Sequence, residues 1–253
     1  MEYSKLAEHP LFLCFVDLRK AYDTVNRAAL WEVMKTYNIP PDVIRRIRDL
    51  HTNTEVQVRA FGGLSDKFLV DSGVRQGCVM SPTLFNVFMD FIVKKTLNKK
   101  DFPKGVRLAY RVTGQLKWVH TSGVYNPVME PAVEYLNIML YADDIVLTTD
   151  NAEDLKTAIS MLDDAFCEAG MEISTKKTEI LTVGGNDADV QEIFVRGEKL
   201  KVVDSFVFLG TKLSSDCSTN PEMEEILVLG PTYFGDKNQD LPNPCHTSTL
   251  VWG

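Results

Sequence analysis

Tyr141-Ala142-Asp143-Asp144 puts two adjacent carboxylates between apolar runs at 136–140 and 145–149. Each run has the length and β-branched content of a buried strand. Two carboxylates crowded into one tight turn raise each other's pKa unless a cation offsets them. The chemistry such a cluster offers is a divalent metal site for phosphoryl transfer. Asp is also a common turn residue, and for these four residues alone that plainer reading is the better one.

Two further blocks shift the balance. The run Leu11-Phe12-Leu13-Cys14-Phe15-Val16 ends on Asp17 and continues as Leu18-Arg19-Lys20-Ala21-Tyr22-Asp23. An Asp at the carboxyl end of a buried strand sits where sheets present ligands to a cleft. The second block is Gly73-Val74-Arg75-Gln76-Gly77-Cys78-Val79-Met80-Ser81-Pro82. Ser81 is expected to cap a helix that Pro82 begins. Leu84, Phe85, Val87, Phe88, Phe91 and Ile92 then mark its buried face. Gly77, without a Cβ, lets the backbone before that helix come close to a substrate.

The elements that must position these residues follow from periodicity. A strand is expected at 11–17, helices near 25–37 and 41–51, and a hairpin at 54–71 around Gly62-Gly63. The helix 82–97 comes next, then an irregular stretch over 98–137, then the strand pair around Asp143-Asp144. Leu155, Ile159, Leu162 and Phe166 predict a helix near 152–168 that Gly170 closes. A strand at 171–183 and a hairpin turning at Gly197 complete the order. Without the 24–75 insertion this is β-α-β-β-α-β, the split βαβ arrangement. Right-handed crossovers place the first strand beside the 138–149 hairpin, bringing Asp17 and Asp143 toward one site.

Three blocks in this order resemble the palm of reverse transcriptases, most closely those of non-LTR (LINE-type) retrotransposons. They are Phe15-Val-Asp-Leu-Arg-Lys-Ala-Tyr-Asp23, Arg75-Gln-Gly-Cys-Val-Met-Ser-Pro-Thr-Leu-Phe85 and Tyr141-Ala-Asp-Asp144. Gly170-Met-Glu-Ile-Ser-Thr-Lys-Lys-Thr178 is similar to the family's fourth palm motif, and Phe206-Val-Phe-Leu-Gly210 to its primer grip. The resemblance implies an α+β right-hand polymerase palm with a ferredoxin-like βαββαβ core, partial fingers and little or no thumb. It implies RNA-directed DNA polymerase activity, with an RNA template, a DNA primer and dNTPs as partners. Two Mg²⁺ ions, or Mn²⁺ in their place, would be held by Asp17, Asp143, Asp144 and the Leu18 carbonyl.

Further roles follow from the same resemblance. Tyr22 would lie under the incoming sugar, although a core aromatic would look the same. Arg75, Gln76 and Gly77 would contact nucleotide and template. Lys177 would meet pyrophosphate, with a surface lysine the equal alternative, and Phe208, Leu209 and Gly210 would shape the primer grip. Residues 1–213 are expected to form the palm with its partial fingers, and 214–253 a truncated thumb or disordered tail. The upstream fingers and an endonuclease portion of the resembling enzymes are not recognised here, which leaves the activity of this chain open. A catalytically inactive retrotransposon remnant with at most weak nucleic-acid binding is therefore the alternative. Nuclear or cytosolic residence is implied by family alone.

Composition sets outer bounds. The 253 residues, 45% hydrophobic, suffice for a sizeable core. No apolar run approaches the ~18 residues of a membrane-spanning helix. Five cysteines with no CxxC pair indicate neither a disulfide framework nor a zinc site. A formal charge of −8 sits awkwardly with a polyanion partner. Basic residues cluster at Arg45-Arg46 with Arg48, Lys94-Lys95, Lys99-Lys100 with Lys104, and Lys176-Lys177, patterns that more often mark solvated faces.

Overall fold

The structure, a computed structural model, describes residues 10–60, 62–110, 117–121, 124–128, 132–185 and 190–217. Most of the expected 214–253 tail therefore lies outside the described residues.

Strand β1 (Leu11–Val16) is buried at every position. Both of its faces are covered, which is why it is a continuous apolar run rather than an alternating one. It pairs antiparallel with β11 (Asp144–Thr149) on one side and with β12 (Glu179–Val183) on the other. With β10 (Ile138–Tyr141) and β15 (Lys201–Val203) at the edges, the sheet order is β10-β11-β1-β12-β15. Only the β12–β15 pair is parallel.

The pleat divides β1 between two cores. Phe12, Cys14 and Val16 join the cluster of helices α4 (Ser81–Leu97) and α5 (Ala152–Glu168), with Phe85, Phe88 and Phe166. Leu11, Leu13 and Phe15 face the other way, with Val146, Leu181 and Val183. There the hairpin of β16 (Ser205–Phe208) and β17 (Thr211–Ser214) closes the sheet, and Phe206 stacks on Phe15 with ring centroids 4.0 Å apart. An aromatic buried in this way contributes roughly 2–3 kcal/mol.

Helix ends follow from their sequences. Asn151 starts α5, its side-chain oxygen accepting the Asp154 N–H at 2.7 Å. Gly170, at φ 79, ends it, with Met171 N–H returning to the Phe166 carbonyl and Gly170 N–H to Cys167. That double return is the Schellman pattern. Ahead of α4 stand α1 (Ala21–Thr24), α2 (Arg27–Thr36) and α3 (Pro41–His51). The hairpin between α3 and α4 is an interrupted ladder, β2 (Glu55–Val56) with β5 (Phe68–Leu69) and β3 (Arg59–Ala60) with β4 (Gly63–Leu64).

Three expectations need correction. Ser81 is the first residue of α4 rather than its cap, because the turn before it winds straight into the helix and Met80 is already helical. The 98–137 stretch is not irregular: β6 (Val106–Tyr110) pairs with β9 (Ala132–Leu136), and β7 (Lys117–Thr121) with β8 (Val124–Val128). Its Gly and Pro punctuation hid a weak alternation such as Val106-Arg107-Leu108. Only the second half of 171–183 is a strand, since Lys177 and Thr178 donate their N–H groups to the Ser174 carbonyl and close a turn. The hairpin of β13 (Phe194–Val195) and β14 (Glu198–Lys199) does turn at Arg196-Gly197, both at positive φ.

Candidate active site

The register brings the acidic residues together. Val16 lies opposite Ile145, so Asp17 and Asp144 are each one residue beyond that pair, at the same end of the sheet. Asp143 occupies the two-residue loop joining β10 to β11, since Tyr141 pairs with Asp144. The other loop residue, Ala142, adopts φ 54. A Cβ in that region costs ~1–2 kcal/mol, strain held at the point where the carboxylates are presented.

Their proximity shows in the electrostatics. The Asp144 carboxyl is pushed above the usual carboxylate range, first by burial and then by the charges of Asp143 and Asp17. The Tyr22 phenol is raised too, by burial and then by Asp143. Asp17 is held more tightly than the others. Its N–H donates to the Thr178 hydroxyl at 3.2 Å and its carbonyl accepts the Ser174 N–H at 2.7 Å. Its Oδ2 lies 3.5 Å from Lys177 Nζ, while its Oδ1 is buried without a hydrogen-bond partner.

This donor set fits a hard divalent cation. Carboxylate oxygens are the ligands such ions prefer, and an orphaned buried carboxylate oxygen is costly without a partner. Leu18 bridges Ile173 through bonds made by its neighbours, Arg19 N–H to the Glu172 carbonyl and Ser174 N–H to the Asp17 carbonyl. That pattern leaves the Leu18 carbonyl outside the ladder. Among the described residues, no three His, Cys, Asp or Glu side chains are drawn together closely enough to hold an ion as they stand.

Beside the carboxylates is an open cavity of about 480 Å³, lined by Tyr22, Gln76, Gly77, Cys78, Ser81 and Pro82. Tyr22 forms its floor by stacking on Phe85, with centroids 4.5 Å apart and planes 12° from parallel. Arg75-Gln76-Gly77-Cys78 is a turn closed by Cys78 N–H to the Arg75 carbonyl, with Gly77 at φ 79. A positive φ at the third turn position is what calls for glycine there. Arg75 and Gln76 are exposed, and Gln76 Nε2 reaches Asp23 Oδ1 at 3.4 Å.

The expected site residues thus divide into groups. Asp17, Asp143, Asp144, Tyr22 and Lys177 gather at one sheet end, and Gln76 and Gly77 share a cavity with Tyr22. Phe208, Leu209 and Gly210 lie on the sheet's other face, where Leu209 and Gly210 form the β16–β17 turn and Phe208 packs on Phe15 at 5.8 Å. Phe15 is two residues before Asp17, so the hairpin props the same strand from below.

Two contributors escaped sequence reasoning. Thr178, fully buried, holds the Asp17 backbone, and nothing in Lys-Lys-Thr marks it. Arg27 donates to three carbonyls, Gly73 at 2.8 Å, His51 at 2.8 Å and Val70 at 2.7 Å, tying both roots of the hairpin segment to α2. A basic residue in a helix's first turn opposes the dipole, and that mismatch was the available signal.

The reverse transcriptase (RNA-dependent DNA polymerase) family profile matches residues 2–213. This chain belongs to the reverse transcriptase family. Its relatives include Pol polyproteins of R2 retrotransposable elements. The one from Nasonia vitripennis is 21% identical over 173 residues, covering 68% of this chain and 14% of that protein. One from Popillia japonica is 23% identical over 214 residues, covering 81% of this chain and 31% of the relative. The chain therefore spans less than a third of either relative's length. Among solved structures it is similar to telomerase from Candida tropicalis in complex with a fragment of telomeric RNA, with a TM-score of 0.52 at 14% identity. That match covers 92% of this chain and 32% of the telomerase chain. The apo enzyme without its C-terminal domain matches with a TM-score of 0.51 over 81% of this chain and 34% of the telomerase. These likenesses show a shared polymerase fold.

Proposed function

We propose that this chain carries the catalytic palm of an RNA-directed DNA polymerase, transferring nucleotidyl groups from dNTPs to a DNA primer 3′-hydroxyl on an RNA template. The observation that carries the reading is the convergence of Asp17, Asp143 and Asp144 from two strand ends, where burial and then the charges of Asp143 and Asp17 raise the Asp144 pKa. The strand order, with β1 between β11 and β12, supports a ferredoxin-like βαββαβ core within residues 1–213 and a fingers-like insertion over about 24–75.

In this reading Asp17, Asp143, Asp144 and the Leu18 carbonyl hold two Mg²⁺ ions, for which Mn²⁺ can substitute. When bound, such ions lower the pKa of a primer hydroxyl and offset the charge of departing pyrophosphate. The chain's own residues then position the substrates. Tyr22, fixed by its stack on Phe85, sets the floor on which a sugar rests. The Arg75-Gln76-Gly77 turn directs backbone and side-chain donors from the start of α4, where the helix dipole favours phosphate. Phe208, Leu209 and Gly210 support the primer end from below. The alternative, a non-catalytic remnant, draws on the net charge of −8 and on basic side chains already engaged at Lys94–Asp90 and Lys95–Glu168.

Primer extension on an RNA template with Mg²⁺ tests the reading, with Asp143→Asn as the paired control. Extension by the parent chain and a loss of at least about 10²-fold in the variant is the expected result. No extension from a folded chain, or extension that Asp143→Asn leaves intact, rejects the catalytic reading in favour of the remnant.

A further inference from the structure

Asp17 is held by a turn that also delivers a cation. Ser174 N–H and the Thr178 hydroxyl bind the carbonyl and the N–H of Asp17, so the two ends of the 174–178 turn are pinned to its backbone. Lys177, between those anchors, brings Nζ to 3.5 Å from Oδ2. The neighbouring Lys176 is exposed and makes no such contact. Asp144 lies in the field of both Asp143 and Asp17, and Lys177 is the cation paired with one of the three among the described residues.

We infer that Lys177 is the resident counter-cation of Asp17, competing with the divalent cation for that carboxylate and withdrawing when the metal enters. The inference rests on the metal reading given above. Its physical basis is that the two cations share one carboxylate: an ammonium 3.5 Å from Oδ2 and a metal ion at ligand distance from the same group repel each other. The backbone anchors stay in place during the exchange, because they involve the Asp17 amide and carbonyl rather than the carboxylate. Lys177 therefore swings only its flexible stem, and the turn keeps the freed ammonium at the edge of the site. The same lysine thus sets how readily the site loads and is released toward substrate once it has.

The contact is exposed, with the lysine side chain 72% accessible, so the expected effect is modest. Binding of Mn²⁺ alone, followed by the electron paramagnetic resonance signal of the free ion, measures it. The proteins are the full chain, Lys177→Met, Lys176→Met and Asp143→Asn. The expected result is Mn²⁺ affinity roughly two- to fivefold tighter in Lys177→Met, little changed in Lys176→Met, and strongly weakened in Asp143→Asn. Equal affinity in the parent and Lys177→Met overturns the inference, and so does equal tightening by both lysine variants, which would reflect general field alone. Mn²⁺ binding that Asp143→Asn leaves unchanged, or no binding by any of the four, removes the metal reading itself and the inference with it. Lys177 is exposed, so the variant's fold is not at issue, and circular dichroism verifies it.

Discussion

Replacing Arg27 with methionine should loosen the hairpin segment while leaving the sheet intact. The guanidinium donates from Nε to Gly73 and from Nη1 to His51 and Val70, joining the end of α3, the return of the hairpin and the approach to the Arg75 turn. Burial lowers its pKa, and Asp71 acts in the opposite direction, so the charge is partly desolvated but compensated. Hydrogen bonds from a charged donor contribute ~1.5–3 kcal/mol each. These bonds are half-buried, so water replaces part of what is lost; about 1 kcal/mol each is the better figure, and the three together are worth roughly 3 kcal/mol. At 1.4 kcal/mol per decade, local opening becomes about 100-fold more frequent.

Amide hydrogen exchange reads this directly. Gly73 N–H bonds to Val25, Val74 N–H to Tyr22 and Val70 N–H to Thr54, and all three should lose about two decades of protection. Amides of β1 and β11 should keep theirs. Arg27→Lys should recover at most one of the three bonds, because an ammonium lacks the guanidinium fork. Unchanged protection at Gly73 and Val74 would refute the reasoning. Equal loss across the central sheet would refute it as well, by showing that Arg27 supports the whole fold rather than one segment.

Two other predictions follow from the site's geometry. Gly73→Ala sets a Cβ 2.7 Å from the Asp23 carbonyl oxygen at φ 78 and should cost about 2–4 kcal/mol, read as a lowered denaturation midpoint. Asp144→Asn should raise thermal stability without metal near neutral pH, by about 1–2 °C once solvent screening is allowed for. The sign follows from its raised pKa: the acid is favoured in the fold, so its stabilising contribution is full below the unfolded pKa and lost as pH rises through the folded one. The gain should therefore vanish in acid, and a variant less stable than its parent at pH 7 would contradict the proposed repulsion.

The parts legible in the sequence were those where a local pattern and a tertiary role coincide. Asp17 stands at the end of an unbroken apolar run, and that run is unbroken because helices cover one face of β1 and a hairpin the other. Gly170 and Gly197 marked a helix end and a turn because only the backbone there had to adopt positive φ. Ser81 misled because a Ser-Pro pair is a helix start in isolation, whereas here the preceding turn had already begun the helix. The 171–178 segment has a strand's composition but spends its backbone bonds on Asp17 and on its own turn. The Asp17 amide that Thr178 holds is 161 residues away in sequence, and no local pattern records that. Thr178 and Arg27 were missed for the same reason: each acts on a carbonyl or amide that sequence does not display.

Departures from good folding chemistry occur at several places among the described residues, Arg196 and Leu209 included, and four of them meet at one sheet end. Ala142 holds φ 54 where glycine would be easier, Lys20 holds φ 47 three residues beyond Asp17, Asp17 keeps a buried oxygen unpaired, and Asp144 is destabilised by its neighbours. All four lie in the two blocks that converge at one sheet end. Selection for stability alone would favour the Asn and Gly that relieve them, at a gain of a kilocalorie or so per site. Under the proposed metal reading they share one purpose, since an ion entering there repays repulsion and the orphaned oxygen together. Metal binding should accordingly stabilise the parent chain more than Asp144→Asn, and the two melting curves, separated without metal, should converge or cross when Mn²⁺ is added. Curves that stay parallel would mean that the strain answers to something other than a bound cation.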